Sequence, residues 1–150
     1  MAAIAFPQYQ KAVLKSRLHT GIPIVASLYQ AQQSYFLAHG DYATDIDSLD
    51  LSIPIDDSCT KEESNSYSRY ACSFGRIGIG NSNIMYRDPS ENLQYVYYFK
   101  DHVSGKITFT AGTRYCFAIG EAKNAVSICQ QMGEAIDTCY SNASWCHFKL

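Results

Sequence analysis

Through the first forty residues apolar side chains recur at helical spacing. Beyond them the pattern changes to short, aromatic-rich runs separated by polar turns. Tyr9, Val13, Thr20, Ile24, Leu28, Ala31 and Tyr35 make one stripe, while Ile4, Leu14, Leu18, Ile22, Val25, Tyr29 and Phe36 lie largely off it. This periodicity predicts a helix over residues 3–38, about 54 Å long at 1.5 Å per residue. A helix apolar on two faces needs two partners. The chain's own sheet is expected to cover one face and neighbouring subunits the other, unless both are buried within one domain. The opening run, residues 2–6, is too short to span a bilayer, which takes roughly 20 apolar residues. It reads either as a first helical turn packed on the chain's own core or as the second half of a longer segment, with a membrane-spanning part before Ala2 and Met1 an artificial start.

Two prolines punctuate this stem. Pro7 predicts a bend over residues 3–7, and Gly21-Ile22-Pro23 a second loosening or kink. Gly40 fits a helix C-cap, where positive φ is needed. In the segment that follows, Thr44 or Asp45 is suited to cap a short turn that tucks Ile46 and Leu49 inward. Residues 58–83, rich in Ser, Asn and Gly, read as loop with short extended pieces. Stronger strand signals come at 93–99 and 107–110, joined by a turn containing Ser104-Gly105 and so expected to pair as a hairpin. A third strand is expected at 114–119 and a fourth at 84–86. Helical spacing of Ala122, Ala125, Val126 and Cys129 predicts a short helix. The fold class is therefore α+β: a long N-terminal helix (residues 1–40) laid across an antiparallel sheet, forming one domain with residues 41–150.

Composition narrows the function. At 150 residues the chain is long enough to bury a real core, about 68–70% of its unfolded surface. Only 17% of residues are charged and the net charge is −2, which leaves no basic surplus for nucleic acid. Charge is unevenly spread: residues 41–63 hold eight acids and Lys61, whereas the stem carries Lys11, Lys15 and Arg17. Exposed pairs are worth about 0–1 kcal/mol each, so this asymmetry would tune subunit register and salt sensitivity rather than hold an assembly together. The acids at 41–50 lack the Asp-x-Asp-x-Asp-Gly pattern of a calcium loop and read as caps and solvated groups.

Six cysteines, at 59, 72, 116, 129, 139 and 146, all lie beyond the stem. An even number in a small domain points to disulfides in an oxidising compartment, although six allow fifteen connectivities. Sequential pairing, Cys59–Cys72, Cys116–Cys129 and Cys139–Cys146, is expected because each closes a short loop, worth about 3 kcal/mol for the longer two. Zinc is disfavoured, with no Cys-x2-Cys pair and with Cys146 and His147 adjacent. No metal or other cofactor is expected. His19, His39, His102 and His147 are scattered without a catalytic motif, and Gly75, Gly78 and Gly80 do not have the spacing of a phosphate cradle, so the chain is not read as an enzyme. Among twelve tyrosines, Tyr67 and Tyr70 raise the idea of glycan stacking, and the aromatic content that of electron transport along a filament. Tyrosines more commonly serve strands and packed interfaces. Asn142-Ala143-Ser144 is a formal glycosylation sequon.

The segment Ala2-Ala3-Ile4-Ala5-Phe6-Pro7-Gln8-Tyr9-Gln10-Lys11-Ala12-Val13 closely resembles the part of bacterial type IV pilins and type II secretion pseudopilins that follows their hydrophobic methylation signal. The resemblance continues through Lys15-Ser16-Arg17 and at Ala31-Gln32-Gln33-Ser34-Tyr35-Phe36-Leu37-Ala38-His39-Gly40-Asp41-Tyr42-Ala43. It is strong over about the first 55 residues and weak over the last 35, from Cys116–Cys129 to Trp145-Cys146-His147-Phe148-Lys149-Leu150; residues 56–115 match only in general character. It implies a filament subunit whose Ala3, Ile4, Phe6, Pro7, Tyr9, Val13 and Leu14 face neighbouring stems, with Pro7 where pilin stems curve and melt locally on assembly. It also implies copies of the chain, other pilins and the inner-membrane assembly machinery as partners. The expected location is the inner membrane before assembly and an extracellular filament afterwards, or the periplasm for a pseudopilin. The alternatives are a type II secretion pseudopilin and a surface binding module carried on a filament; the six cysteines favour the exposed pilus.

Overall fold

The computed structural model describes residues 5–137 and 145–150. Helix α1 spans Ala5–His39, and its C-terminal end lies one residue beyond the expected limit. Its buried line is Leu14, Leu18, Gly21, Val25, Leu28 and Gln32, spaced alternately by four and three residues. This line takes members from both expected stripes, because the sheet meets the helix between them. Ile22, Ile24, Tyr29, Ala31 and Tyr35 flank it, half-buried against the same core.

Two local expectations for the helix change. The helix runs through Pro23 without a break; Pro23 and the residue one turn earlier, His19, are both exposed, so the carbonyl released by the missing N–H has access to water. Gly21 is not a hinge. A Cβ at this position would lie 2.2 Å from Cγ of Tyr86, so the glycine exists to let that ring reach the helix backbone. The bend expected at residues 3–7 lies largely outside the described residues. At the other end Gly40 has φ +78° and donates its N–H to Phe36 O at 2.8 Å, as a C-cap glycine should.

The chain is turned back by Gln32. Its fully buried amide donates to Ala43 O at 2.8 Å and accepts from Ala43 N at 2.9 Å, pinning the loop to the helix. Asp45, the N-cap of a short 3-10 turn at Ile46–Ser48, accepts from Asp47 N and sends Ile46 and Leu49 into the core.

Ten strands follow. They are β1 (Thr60–Ser64), β2 (Tyr67–Cys72), β3 (Gly75–Gly80), β4 (Asn83–Arg87), β5 (Leu93–Tyr98), β6 (His102–Ser104), β7 (Ile107–Phe109), β8 (Arg114–Ile119), β9 (Glu134–Ala135) and β10 (Trp145–Lys149). Helix α2, Lys123–Met132, lies between β8 and β9. The main antiparallel sheet has the order β1-β2-β3-β4-β5-β8-β10-β9. Three strands thus occupy residues 60–80, where loop with short extended pieces was expected. Serine, asparagine and glycine carry little strand propensity, and here tight meander turns and neighbouring strands supply the order instead. The pairing of 93–99 with 107–110 is also corrected: β5 pairs with β4 and β8, while β6 and β7 form a separate hairpin.

Register gives the sheet two different faces. One carries Ile77, Ile84, Tyr86, Leu93, Cys116, Ala118 and Phe148 against the helices, with Tyr29 of α1 stacked on Tyr97 at 3.7 Å. The opposite face carries Val96, Tyr98, Tyr115 and Phe117, which the hairpin covers with Phe109 to make a second small core. Two of the expected disulfides are present, Cys59–Cys72 and Cys116–Cys129. Cys146 is disulfide-bonded as well; Cys139, its expected partner, lies outside the described residues.

Candidate functional site: the stem groove

The first three turns of α1 have few neighbours. Phe6 is 64% and Tyr9 67% exposed, and Pro7 is also open to solvent. Val13 is half-buried. Leu14, by contrast, is 9% exposed and part of the core, which corrects its expected place among the residues facing a neighbouring stem. The cause is angular: Leu14 begins the 4,3 line that meets the sheet, whereas Tyr9 and Val13 lie to one side of it. Ala3 and Ile4 are outside the described residues.

A groove of about 740 Å³ runs beside these turns. Pro7, Tyr9, Gln10, Val13, Leu14 and Arg17 form one wall; Ser90 and Asn92 of the β4–β5 turn, with residues 121–125 at the start of α2, form the other. The second wall is firmly held. Cys129 of α2 is bonded to Cys116 of β8 with both residues fully buried, and Ala125 and Ile128 pack inward beside them. Lys11 Nζ donates to Ser127 Oγ at 2.7 Å and ties stem to α2. The β4–β5 turn is fixed by buried Asp88, whose carboxylate accepts from Leu93 N at 2.8 Å and Ser90 N at 2.9 Å. This wall has no signature near the groove's stem side, since it comes from two segments more than 70 residues beyond Arg17.

Four of the eight acids at 41–63, Asp45, Asp47, Glu62 and Glu63, are ion-paired within the chain. Lys61 Nζ lies 2.9 Å from Asp45, 2.7 Å from Asp47 and 2.6 Å from Glu63. Hydrogen bonding to Lys61 holds the Asp45 and Asp47 carboxyls below their ordinary range, and those carboxylates in turn raise the Lys61 ammonium. Glu62 takes Arg69 Nε at 2.6 Å. On the outer sheet face Arg76 pairs with Glu91, and Arg87 lies 3.6 Å from Glu91 and 5.0 Å above the Trp145 ring. Burial, then the neighbouring Arg76 and Arg69, lowers the Arg87 pKa. This arginine–glutamate strap was not anticipated, because its members are dispersed along four segments of the sequence.

The histidines do not converge. His19 and His102 are exposed, and His39 Nδ1 is 3.0 Å from Tyr35 O. His147 pairs with Asp137 through Nδ1 and its backbone N–H. Among the described residues no group of three or more His, Cys, Asp or Glu is placed to hold a metal ion. None of the described helices is long and apolar enough to cross a membrane. The sequon at 142–144 lies outside the described residues. No protein-family model, curated protein or solved structure matches the chain.

Proposed function

We propose that this chain is a structural subunit of a type IV pilus-like filament and assembles through its N-terminal helix. The observation that carries the proposal is the unshared end of α1. A helix that buries an unbroken line from Leu14 to Gln32 leaves Phe6 at 64% and Tyr9 at 67% exposure, beside a groove with rigid walls. The resemblance of residues 2–43 to pilin stems supports the same reading.

In this reading each stem is covered by the stems of neighbouring copies, and the sheet with its disulfides faces outward. The two sides of such a contact are different surfaces, so repetition without closure generates a helical filament. Removing a phenylalanine side chain from water contributes about 1.5–3 kcal/mol per contact, which outweighs surface ion pairs at about 0–1 kcal/mol. The subunit waits in the inner membrane, is handed on by the pilus assembly machinery together with other pilins, and ends in an extracellular filament. A type II secretion pseudopilin would use the same contacts in the periplasm.

Phe6→Asp in the protein as its source cell makes it tests the stem directly. The account predicts loss of filaments with the sheet domain still folded and its disulfides intact. Normal filament yield would remove the stem from assembly.

A further inference from the structure

We infer that the outer face of β2–β4 is a binding site for a pyranose sugar, independent of the stem and of the filament reading. Outer-face positions on β3 include Gly78 and Gly80, so the strand's backbone is bare between β2 and β4. The result is a trough of about 470 Å³ whose rim includes Tyr67, Arg69, Asn81, Asn83, Met85 and His102. The hairpin that covers the rest of this face reaches it only through His102.

The trough is built rather than left over. A Cβ on Gly78 would fall 2.2 Å from Arg69 Cβ and 2.8 Å from Ser68 O, so only glycine fits beneath the Arg69 side chain. Arg69 is fixed at both ends of its head group: Nε donates to Glu62 at 2.6 Å, and the guanidinium carbon sits 4.2 Å from the Tyr67 ring centroid. The Arg69 wall is thereby set before any ligand arrives, which lowers the ordering cost of binding.

The chemistry of the lining selects the ligand class. No carboxylate lines the trough, so cations have no counter-charge. The one arginine is shared with Glu62, which is too little for a polyphosphate. Two primary amides offer donors and acceptors together, which suits hydroxyls and not a purely apolar ligand. The Met85 thioether, with the part of the Tyr67 ring that the Arg69 guanidinium leaves uncovered, supplies the apolar contact that the C–H face of a sugar ring takes. A few placed polar groups beside an aromatic wall, in a volume of this size, match a small neutral polyol ring.

Amide NMR of the whole chain, titrated separately with N-acetylglucosamine, galactose and mannose, decides the matter. The expected result is saturable shifts at Tyr67, Gly78, Asn81 and Asn83 with at least one sugar, at a dissociation constant on the order of 1 mM. Asn81→Ala, an exposed turn substitution, is expected to weaken that binding about fivefold or more, and Tyr67→Ala to do so more strongly while Tyr67→Phe retains most of it. Absence of saturable shifts with all three sugars overturns the inference. So do shifts centred elsewhere, or binding that Asn81→Ala leaves unchanged.

Discussion

At Gly21 the Tyr86 ring lies against the helix backbone, where no side chain fits. A glycine two positions before a proline suggests a loose joint, and at a solvated joint Gly21→Ala would stabilise the helix by about 1 kcal/mol. Here the added methyl meets the Tyr86 ring at 2.2 Å, and that ring has no freedom to withdraw. Its hydroxyl donates to Phe74 O at 2.8 Å, the side chain is fully buried, and burial pushes its pKa up to about 12. Gly21→Ala is therefore expected to destabilise the fold by about 1–3 kcal/mol, seen as a lower midpoint in denaturant. A raised midpoint would restore the hinge. Lys61 makes a second prediction at this scale. Its partners Asp45 and Asp47 have lowered pKa values, so their contribution is present above the ordinary carboxylate pKa of about 3.9 and is lost as pH falls through the folded values. Lys61 itself is raised, so its contribution holds up to about pH 10 and fades only above that. Lys61→Met should flatten the acid limb of the stability profile below about pH 4, with a small effect because the aspartates are about half exposed. An unchanged acid limb would mean that the cluster contributes nothing in solution.

Elements were legible where their signal was local. The helix, its glycine cap, the turn at Asp45, the strands at 84–86, 93–99 and 114–119 and the second helix each rest on periodicity or on a capping residue, and all are present. Strands β1 to β3 were legible only as short extended pieces in a loop, because their order comes from pairing across the sheet, not from residues such as Ser64, Asn65 and Gly78. The hairpin was misassigned for a related reason. A turn at Ser104-Gly105 says that 107–110 pairs with a strand before it, but not that this strand is the short His102–Ser104 and not 93–99. The disulfides Cys59–Cys72 and Cys116–Cys129 differ in the same physical way. Cys116 and Cys129 are fully buried between α2 and the sheet, whereas Cys59 and Cys72 are half-buried near the free edge at β1. A small thiol reductant applied to the folded protein should open Cys59–Cys72 first, as read by alkylation and mass spectrometry. Equal labelling of Cys116 at early times would show that α2 opens as readily as the edge.

For the whole molecule, the stem was legible and its groove was not. Phe6, Pro7 and Tyr9 stand exposed where the resemblance put an assembly surface, and Leu14 turned inward because one helix face had to serve the chain's own sheet. The far wall, from Ser90, Asn92 and the start of α2, required the tertiary fold and has no sequence signature near the stem. A helix shared in this way, partly with its own sheet and partly open, is the physical basis for proposing a filament subunit.

Filaments sheared from the source cells, pelleted and identified by mass spectrometry test that proposal most directly. The account predicts this chain as the dominant protein of long filaments. Filaments that lack it, with the chain confined to the cell envelope, would contradict a pilus subunit.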